Sequence, residues 1–125
     1  MPPPRSERQR LLDALADIES ALADNVERGL EIRRRVQSLR AELEQGASAR
    51  HLVEVEGTPR TVEMLTANMV VLETAGSEFR ASLAHALRDE GLTIAAIADL
   101  YGVTRQRISA LLRQRSGDVV HRHLT

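Results

Sequence analysis

The chain contains no cysteine, and aromatic residues make up only 2% of its 125 positions. Without cysteine it can form neither a disulfide nor a thiolate metal site, and nothing in its composition suggests export. Because Phe79 and Tyr101 are its only aromatic residues, the chain lacks the stacking platforms of proteins that bind single strands or RNA. It shows no nucleophile–base arrangement and no glycine-rich phosphate loop, so we expect neither an enzyme nor a cofactor.

Long apolar runs are also missing. None approaches the ~18–20 residues that cross a bilayer, and the opening Met-Pro-Pro-Pro-Arg does not resemble a signal peptide. These absences predict a cytoplasmic protein with no membrane partner.

Lysine is absent as well, since all 17 basic residues are arginine, a composition typical of GC-rich bacterial genomes. The formal net charge is −1, but it is unevenly distributed. Residues 1–75 hold ten arginines and thirteen acidic residues, whereas residues 76–125 hold seven arginines and five acidic residues. A positive excess in the second part is expected of a small DNA-binding protein with a separate interaction arm.

The four histidines do not form a metal site. His121 and His123 lie in the expected C-terminal tail without third and fourth ligands, and His51 and His85 are isolated. The acidic pair Asp89-Glu90 lies at a predicted helix end, where a solvated terminus is expected. We therefore predict no metal and no catalytic residues.

What the first half does contain is a long helical pattern. Ser6 and Gln9 have the spacing of a capping box, and no helix breaker except Gly29 occurs before Gly46. Apolar residues recur at alternating steps of four and three, as in a coiled-coil heptad, with an interruption at Asn25 and Gly29. These positions are Leu11, Leu15, Ile18, Leu22, Ile32, Val36, Leu39 and Leu43.

A second helix is predicted after a break. Residues 46–58 show no helical period, and 52–56 are expected to form a short extended piece. Thr58 would then cap a helix with Pro59 at its first position. Gly76 is expected to bend or divide that helix near Ser77. Its apolar positions are Val62, Leu65, Met69, Leu72, Gly76, Phe79, Leu83 and Ala86.

Folding the chain back near residue 52 would make the two apolar patterns face each other in an antiparallel hairpin. The expected neighbours are Leu39 with Leu65, Val36 with Met69, Ile32 with Leu72, and Gly29 with Gly76 and Phe79. The alternative is a parallel homodimer through residues 6–45. It is disfavoured because it would place Arg28 beside Arg33 and Arg35 beside Arg40 across the interface.

The most specific pattern follows Gly91. Thr93 and Thr104 can each cap a short helix, and Gly102 occupies the turn between them, where a left-handed backbone is needed. The spacing predicts two crossed helices that share a core formed by Ile94, Ile97, Ala98, Val103, Ile108 and Leu111. Two helices joined by a tight turn in this way form a helix-turn-helix, which lays its second helix in the DNA major groove.

The run GLTIAAIADLYGVTRQRISALL resembles the DNA-binding end of resolvases and, more closely, region 4 of bacterial sigma factors. In that family the positions matching Arg105 and Gln106 touch bases, and those matching Arg107 and Ser109 lie near phosphates or the groove wall. The family's usual Arg and Gln are absent at Ser109 and Ala110, so the resemblance leaves the target sequence open. The predicted base contacts are Thr104, Arg105, Gln106, Ser109 and Ala110, and the predicted phosphate contacts are Thr93, Arg107, Arg113 and Arg115.

The sequence therefore predicts an all-α protein in which a long antiparallel helical hairpin precedes a C-terminal, tri-helical helix-turn-helix unit. The expected parts are an extended tail at 1–5, an arm at 6–76, a DNA-binding unit at 77–116 and a tail at 117–125. The expected function is that of a bacterial, nucleoid-associated transcriptional regulator that binds double-stranded DNA as a homodimer. Two alternatives are an adaptor whose arm binds a partner such as RNA polymerase, and an architectural chromosome protein with little sequence preference.

Overall fold

A computed structural model describes residues 6–57 and 59–114. This part of the chain is all-helical, which confirms the predicted class. The five helices are α1 (Glu7–Glu44), α2 (Ala49–Glu56), α3 (Thr61–Asp89), α4 (Ile94–Tyr101) and α5 (Arg105–Arg113). None of these described helices has an apolar stretch long enough to cross a bilayer. Outside the described residues lie the predicted tails, the cap at Thr58, the phosphate contact at Arg115, and His121 and His123.

Helix α1 begins and ends where the sequence indicates. The Ser6 hydroxyl accepts a 3.1 Å hydrogen bond from the backbone N–H of Gln9, which satisfies one of the free donors of the first turn. The Gln9 side chain donates to Asp13 instead of returning to Ser6, so only half of the capping box forms. At the other end, Gly46 takes φ 95° and its N–H bonds to the carbonyl of Leu43, which closes the helix.

The prediction of an extended segment at 52–56 is wrong, because these residues belong to helix α2. Ser48 caps α2 by accepting a 3.1 Å hydrogen bond from the N–H of His51. An exposed ion pair, 3.5 Å between Arg50 and Glu54, joins neighbouring turns. The Val-Glu-Val-Glu alternation is typical of a strand, but a strand without a partner satisfies none of its backbone groups, whereas a capped helix satisfies most of them.

Helix α3 begins at Thr61, so the prediction that Pro59 is its first residue is wrong. The Arg60 carbonyl accepts the first helical hydrogen bond, from the N–H of Met64 at 3.0 Å. The carboxylates of Glu56 and Glu63 accept from the N–H groups of Thr61 and Arg60, which secures this end. The helix then continues through Gly76 without a break and ends at Asp89, ahead of a turn at Gly91.

The described residues divide into two compact units, 20–72 and a second built from 6–19 with 73–114. We call residues 20–72 the arm unit, and the described residues 6–19 and 73–114 the C-terminal unit. The predicted boundaries differ, since they assign residues 6–19 to the arm.

Within the arm unit, the predicted register of α1 against α3 is wrong. Arg28 Nε donates to Asn68 Oδ1 at 3.0 Å, and an Arg35 guanidinium nitrogen donates to the Pro59 carbonyl at 2.7 Å. These bonds place polar residues between the helices. Three residues predicted to lie there are about half exposed or more, namely Val36, Leu65 and Met69. The cause is that long arginine side chains can cover a neighbouring helix with their aliphatic stems while their charged ends find hydrogen bonds.

The predicted contact of Gly29 is also wrong. It was predicted to lie against Gly76 and Phe79, but a Cβ at Gly29 would meet no described atom within 4 Å. Ile32 is buried, together with Ala21 and Thr61, and these are the only residues of the described arm unit in that class. The arm unit therefore has a small core and much exposed apolar surface.

Candidate nucleic-acid interface

Helix α4 is fixed at both ends by the residues that the sequence indicates. The Thr93 hydroxyl accepts a 3.1 Å hydrogen bond from the N–H of Ala96, so Thr93 is the N-cap. Gly102 takes a left-handed conformation (φ 67°, ψ 35°), and its N–H bonds to the carbonyls of Ala98 and Asp99. The next N–H, that of Val103, returns to the Ala98 carbonyl at 3.1 Å. This pattern ends α4 and turns the chain sharply into α5.

Helix α5 begins directly after that turn. The Thr104 hydroxyl accepts from the N–H of Arg107 at 3.1 Å, which confirms Thr104 as the second cap. The helix closes at Gln114, whose N–H bonds to the Leu111 carbonyl at 3.1 Å. With nine residues, α5 is about 13 Å long at ~1.5 Å per residue, long enough to lie across a major groove about 12 Å wide.

A small core holds α4 and α5 against the second half of α3. Ile97 and Ile108 are completely buried, one on each short helix, and Ala98 and Leu111 lie beside them. Helix α3 contributes small side chains at the same cluster. The buried members are Ala81, Ala84, Ile97, Ala98, Ile108 and Leu111, and Leu87, Leu92, Ile94, Tyr101 and Leu112 pack around them.

Most of the predicted core residues of this unit are confirmed. The exception is Val103, which is 41% exposed because it lies in the turn and not on a helix face.

Three polar contacts also join α3 to the end of α4 and to the residue that follows α5. The Tyr101 hydroxyl donates to the Arg80 carbonyl at 2.9 Å. Burial raises the pKa of that hydroxyl, against the opposing effect of the Arg80 charge, so Tyr101 stays a neutral donor. At the far end of α5, His85 Nε2 lies 2.9 Å from the Gln114 carbonyl, and the Gln114 side-chain amide donates to the Ser77 hydroxyl at 3.3 Å.

The sequence interpretation gave no role to Ser77, His85 and Gln114. Ser77, Ala81 and His85 recur every four residues on α3, so they share the face that carries the core alanines. This spacing could have shown that two polar residues lie beside the core. Ser77 and His85 both bond to Gln114, the residue directly after α5, so they position the end of that helix.

The outward side of α5 brings together four predicted site residues. Arg105, Gln106, Ser109 and Arg113 line one shallow depression, opposite the buried Ile108 and Leu111. Arg113 had been predicted as a phosphate contact, and it lies in the same group as the predicted base contacts, two turns beyond Arg105.

The other predicted residues lie around this group. Ala110 is exposed on the same outward side, Arg107 is exposed at the opposite edge of the helix from Arg105, and Thr93 and Thr104 are exposed at the two helix starts. Thr93 and Thr104 already bond to backbone N–H groups as caps, and a hydroxyl that caps a helix keeps its own proton to donate.

The outward surface of α5 is positively charged. No acidic residue occurs from Tyr101 to Gln114, and α5 carries Arg105, Arg107 and Arg113. Among the described residues, none of these three guanidinium groups forms an ion pair. Three unpaired, exposed guanidinium groups on one short helix can bind anionic oxygens, and arginine suits both phosphate and the guanine edge.

No group of three His, Cys, Asp or Glu residues in the described part of the chain could hold a metal ion. His51 Nε2 lies 3.3 Å from Glu42 Oε2 in the arm unit, and His85 Nε2 lies 2.9 Å from the Gln114 carbonyl.

Comparison with known proteins gave no match to a protein-family model, to a curated protein or to a solved structure.

Proposed function

We propose that the chain is a DNA-binding protein, specifically a transcriptional regulator that reads the major groove with α5. The observation that carries this proposal is the outward group Arg105, Gln106, Ser109 and Arg113 on a helix that two caps and a buried core hold in place. Rigid presentation matters because base readout requires side chains held in fixed register with the base edges.

In this proposal α3, α4 and α5 form the tri-helical helix-turn-helix unit, with α5 as the recognition helix. Arg105 and Gln106 read base edges, because bidentate arginine–guanine and glutamine–adenine pairs are geometrically favoured in the major groove. Thr104, Ser109 and Ala110 complete the base-contacting surface.

The remaining basic and polar residues hold the backbone of the duplex. Arg107 and Arg113 contact phosphates, and Thr93 donates its hydroxyl proton to a phosphate at the start of α4. Such contacts supply most of the non-specific affinity and make it depend on salt. A regulator of this kind is associated with the nucleoid.

The arm unit is proposed to be an antiparallel hairpin of α1 and α3, supported by the bonds of Arg28 to Asn68 and of Arg35 to Pro59. Arg35 comes after Arg28 in α1, whereas its partner Pro59 comes before Asn68, and this order is that of two antiparallel segments. The hairpin is the part through which a homodimer forms, since a single helix-turn-helix makes few contacts and dimers commonly read two half-sites.

The test begins with selection of the preferred site from random duplexes, followed by electrophoretic shifts with specific and scrambled competitor DNA. Arg105→Ala is expected to cost ~1–3 kcal/mol on the selected site and to relax the preference at one base pair. Arg107→Ala is expected to weaken all sequences alike and to reduce the salt slope by about one unit.

Arg50→Ala is the matched control, because it removes the same charge from an exposed position in the arm unit, where Arg50 pairs with Glu54. Its affinity should equal that of the original chain. If Arg105→Ala changes neither affinity nor base preference, α5 is not the recognition helix.

Equal binding to specific and scrambled DNA would favour an architectural chromosome protein. The adaptor alternative has its own support in the exposed apolar side chains of the arm unit. It predicts no retention of any duplex at physiological salt.

A further inference from the structure

Helix α3 holds the residue that ends α5 at two points. Gln114 directly follows Arg113, the last residue of α5. The Gln114 carbonyl lies 2.9 Å from His85 Nε2, and the Gln114 side-chain amide donates to the Ser77 hydroxyl at 3.3 Å. We call Ser77, His85 and Gln114 the α5 anchor. Because one bond involves the main chain of Gln114 and the other its side chain, the anchor restricts both the position and the direction of this residue.

The bond from His85 is the stronger part of the α5 anchor. A carbonyl oxygen has no proton to give, so His85 Nε2 carries the proton and donates it. Its length of 2.9 Å is close to the commonest value for an N–H···O hydrogen bond, whereas 3.3 Å lies beyond the usual range of about 2.7–3.2 Å. His85 and Gln114 are both partly buried, which reduces competition from water. His85 therefore contributes most of what holds Gln114 to α3.

The last turn of α5 has few other contacts with α3. The apolar core includes α5 as far as Leu112, and the two described residues beyond it, Arg113 and Gln114, do not join that core. The last carbonyl groups of a helix have no partner within the helix, so the final turn of a short helix opens easily. The N–H of Gln114 closes the helix internally through the Leu111 carbonyl. The α5 anchor is what joins this end to α3.

Arg113 is the proposed phosphate contact nearest to the α5 anchor. It is exposed, and it belongs to the outward group of α5. A peptide bond joins it to Gln114, so the position of Gln114 determines where the Arg113 side chain begins. Arg105 lies eight residues earlier, ~12 Å along the helix, next to the cap at Thr104. Loss of the anchor should therefore displace Arg113 and leave Arg105 in place.

We propose that His85 is a positioning residue for DNA binding, which holds the end of α5 so that Arg113 meets its phosphate. This inference rests on the proposed function and adds to it a residue of α3 that does not contact DNA. Phosphate contacts carry no direct sequence information. His85 therefore sets the affinity for all duplexes alike and has no effect on base preference.

Two substitutions of His85 form a matched pair. His85→Leu removes the donor, whereas His85→Gln keeps an N–H group that can reach the Gln114 carbonyl. In electrophoretic shifts, His85→Leu is expected to weaken binding to the selected and the scrambled duplex by the same factor, roughly two- to tenfold, which corresponds to one hydrogen bond. His85→Gln should recover at least part of that loss. Equal affinity of both variants, or a changed base preference in His85→Leu, would overturn the proposal.

A double-mutant cycle tests whether the effect passes through Arg113. If His85 positions Arg113, His85→Leu should weaken binding no further in the Arg113→Ala background, and should have its full effect in the Arg105→Ala background. Arg105→Ala is the matched control, because it removes the same charge from the other end of the same helix. A general loss of stability would weaken binding by the same factor in both backgrounds. That result would overturn the proposal.

A measurement without DNA tests the hydrogen bond itself. Nitrogen NMR spectra of the original chain at neutral pH should show a proton on His85 Nε2 and none on Nδ1, because Nε2 is the donor. His85→Gln assigns these signals by removing them. A proton on Nδ1 with none on Nε2 would overturn the proposal, however well the variants fold.

The outcomes separate this inference from the proposed function. If the original chain binds its selected duplex and His85→Leu binds it equally well, His85 has no positioning role and the proposed function stands. If the original chain binds no duplex while NMR shows the expected proton, DNA binding is refuted, and the role of His85 in it is refuted as well.

Discussion

Gly102 provides the sharpest test of how the backbone positions α5. Its φ of 67° and ψ of 35° lie in the left-handed region, which costs a residue with a side chain ~1–2 kcal/mol. Alanine at this position would meet no described atom within 4 Å, so no collision adds to that strain. Alanine also reduces the entropy of the unfolded chain by ~0.4–1 kcal/mol, which offsets part of the cost. We therefore expect Gly102→Ala to lower the free energy of unfolding by about 1 kcal/mol.

At Gly76, substitution by alanine should change the free energy of unfolding in the opposite direction. Gly76 lies inside α3 with negative φ, and a Cβ there would also meet no described atom within 4 Å. In a helix interior alanine is favoured over glycine by ~0.8–1 kcal/mol, so Gly76→Ala is expected to raise the free energy of unfolding by up to that amount. The two variants differ only in the backbone conformation that the added methyl group must accept.

Urea denaturation followed by circular dichroism, at one fixed protein concentration, measures both changes. Gly102→Ala should also weaken binding to the selected duplex, because the turn sets the direction in which α5 leaves α4. If Gly102→Ala is as stable as the original chain, or if both variants shift in the same direction, the left-handed turn does not hold the two helices as described.

Two further changes test the C-terminal unit. Ile108→Ala should lower the free energy of unfolding by ~2–5 kcal/mol, because Ile108 is completely buried in the core between α4 and α5; thermal melts measure it, and a change below ~1 kcal/mol would contradict that burial. Burial, aided by the nearby Asp17 charge, raises the pKa of the Glu78 carboxyl, so this residue costs stability as pH rises through its folded pKa. Glu78→Gln is therefore expected to raise the melting temperature at pH 7 and to leave it unchanged near pH 3, where the carboxyl is protonated in both states. An equal rise of the melting temperature at both pH values would show that the ionised Glu78 carboxylate is not the cause.

The features that the sequence predicted well are those that depend on a few neighbouring residues. Ser6, Thr93 and Thr104 cap helices because a hydroxyl three residues before a backbone N–H can reach it whatever the rest of the chain does. Gly102 ends α4 for an equally local reason. The outward residues of α5 could be named in advance, because the cap at Thr104 and the buried Ile108 and Leu111 fix the rotation of so short a helix.

The register of the arm could not be predicted in that way. It depends on whether Arg28 and Arg35 face solvent or the other helix, and the sequence pattern treats every arginine as exposed. The start of α3 was missed for a similar reason, since Glu56 and Glu63 cap it from both sides of Pro59. Side-chain hydrogen bonds decided both cases, between residues distant in sequence for the register and between near neighbours for the start of α3.

The error in the arm has a physical consequence. The apolar pattern that suggested an intramolecular contact is real, but its members Val36 and Leu65 are about half exposed to solvent and Met69 is 69% exposed. The side-chain hydrogen bonds that the structure gives between α1 and residues 59–68 come from arginine, Arg28 to Asn68 and Arg35 to the Pro59 carbonyl, so they bury none of these apolar side chains. Exposed apolar side chains of this kind often mark an interaction surface. In the proposed homodimer, formed through the arm unit, the second copy contacts these side chains, so the heptad pattern in the sequence and the hydrogen bonds of Arg28 and Arg35 stabilise the same protein.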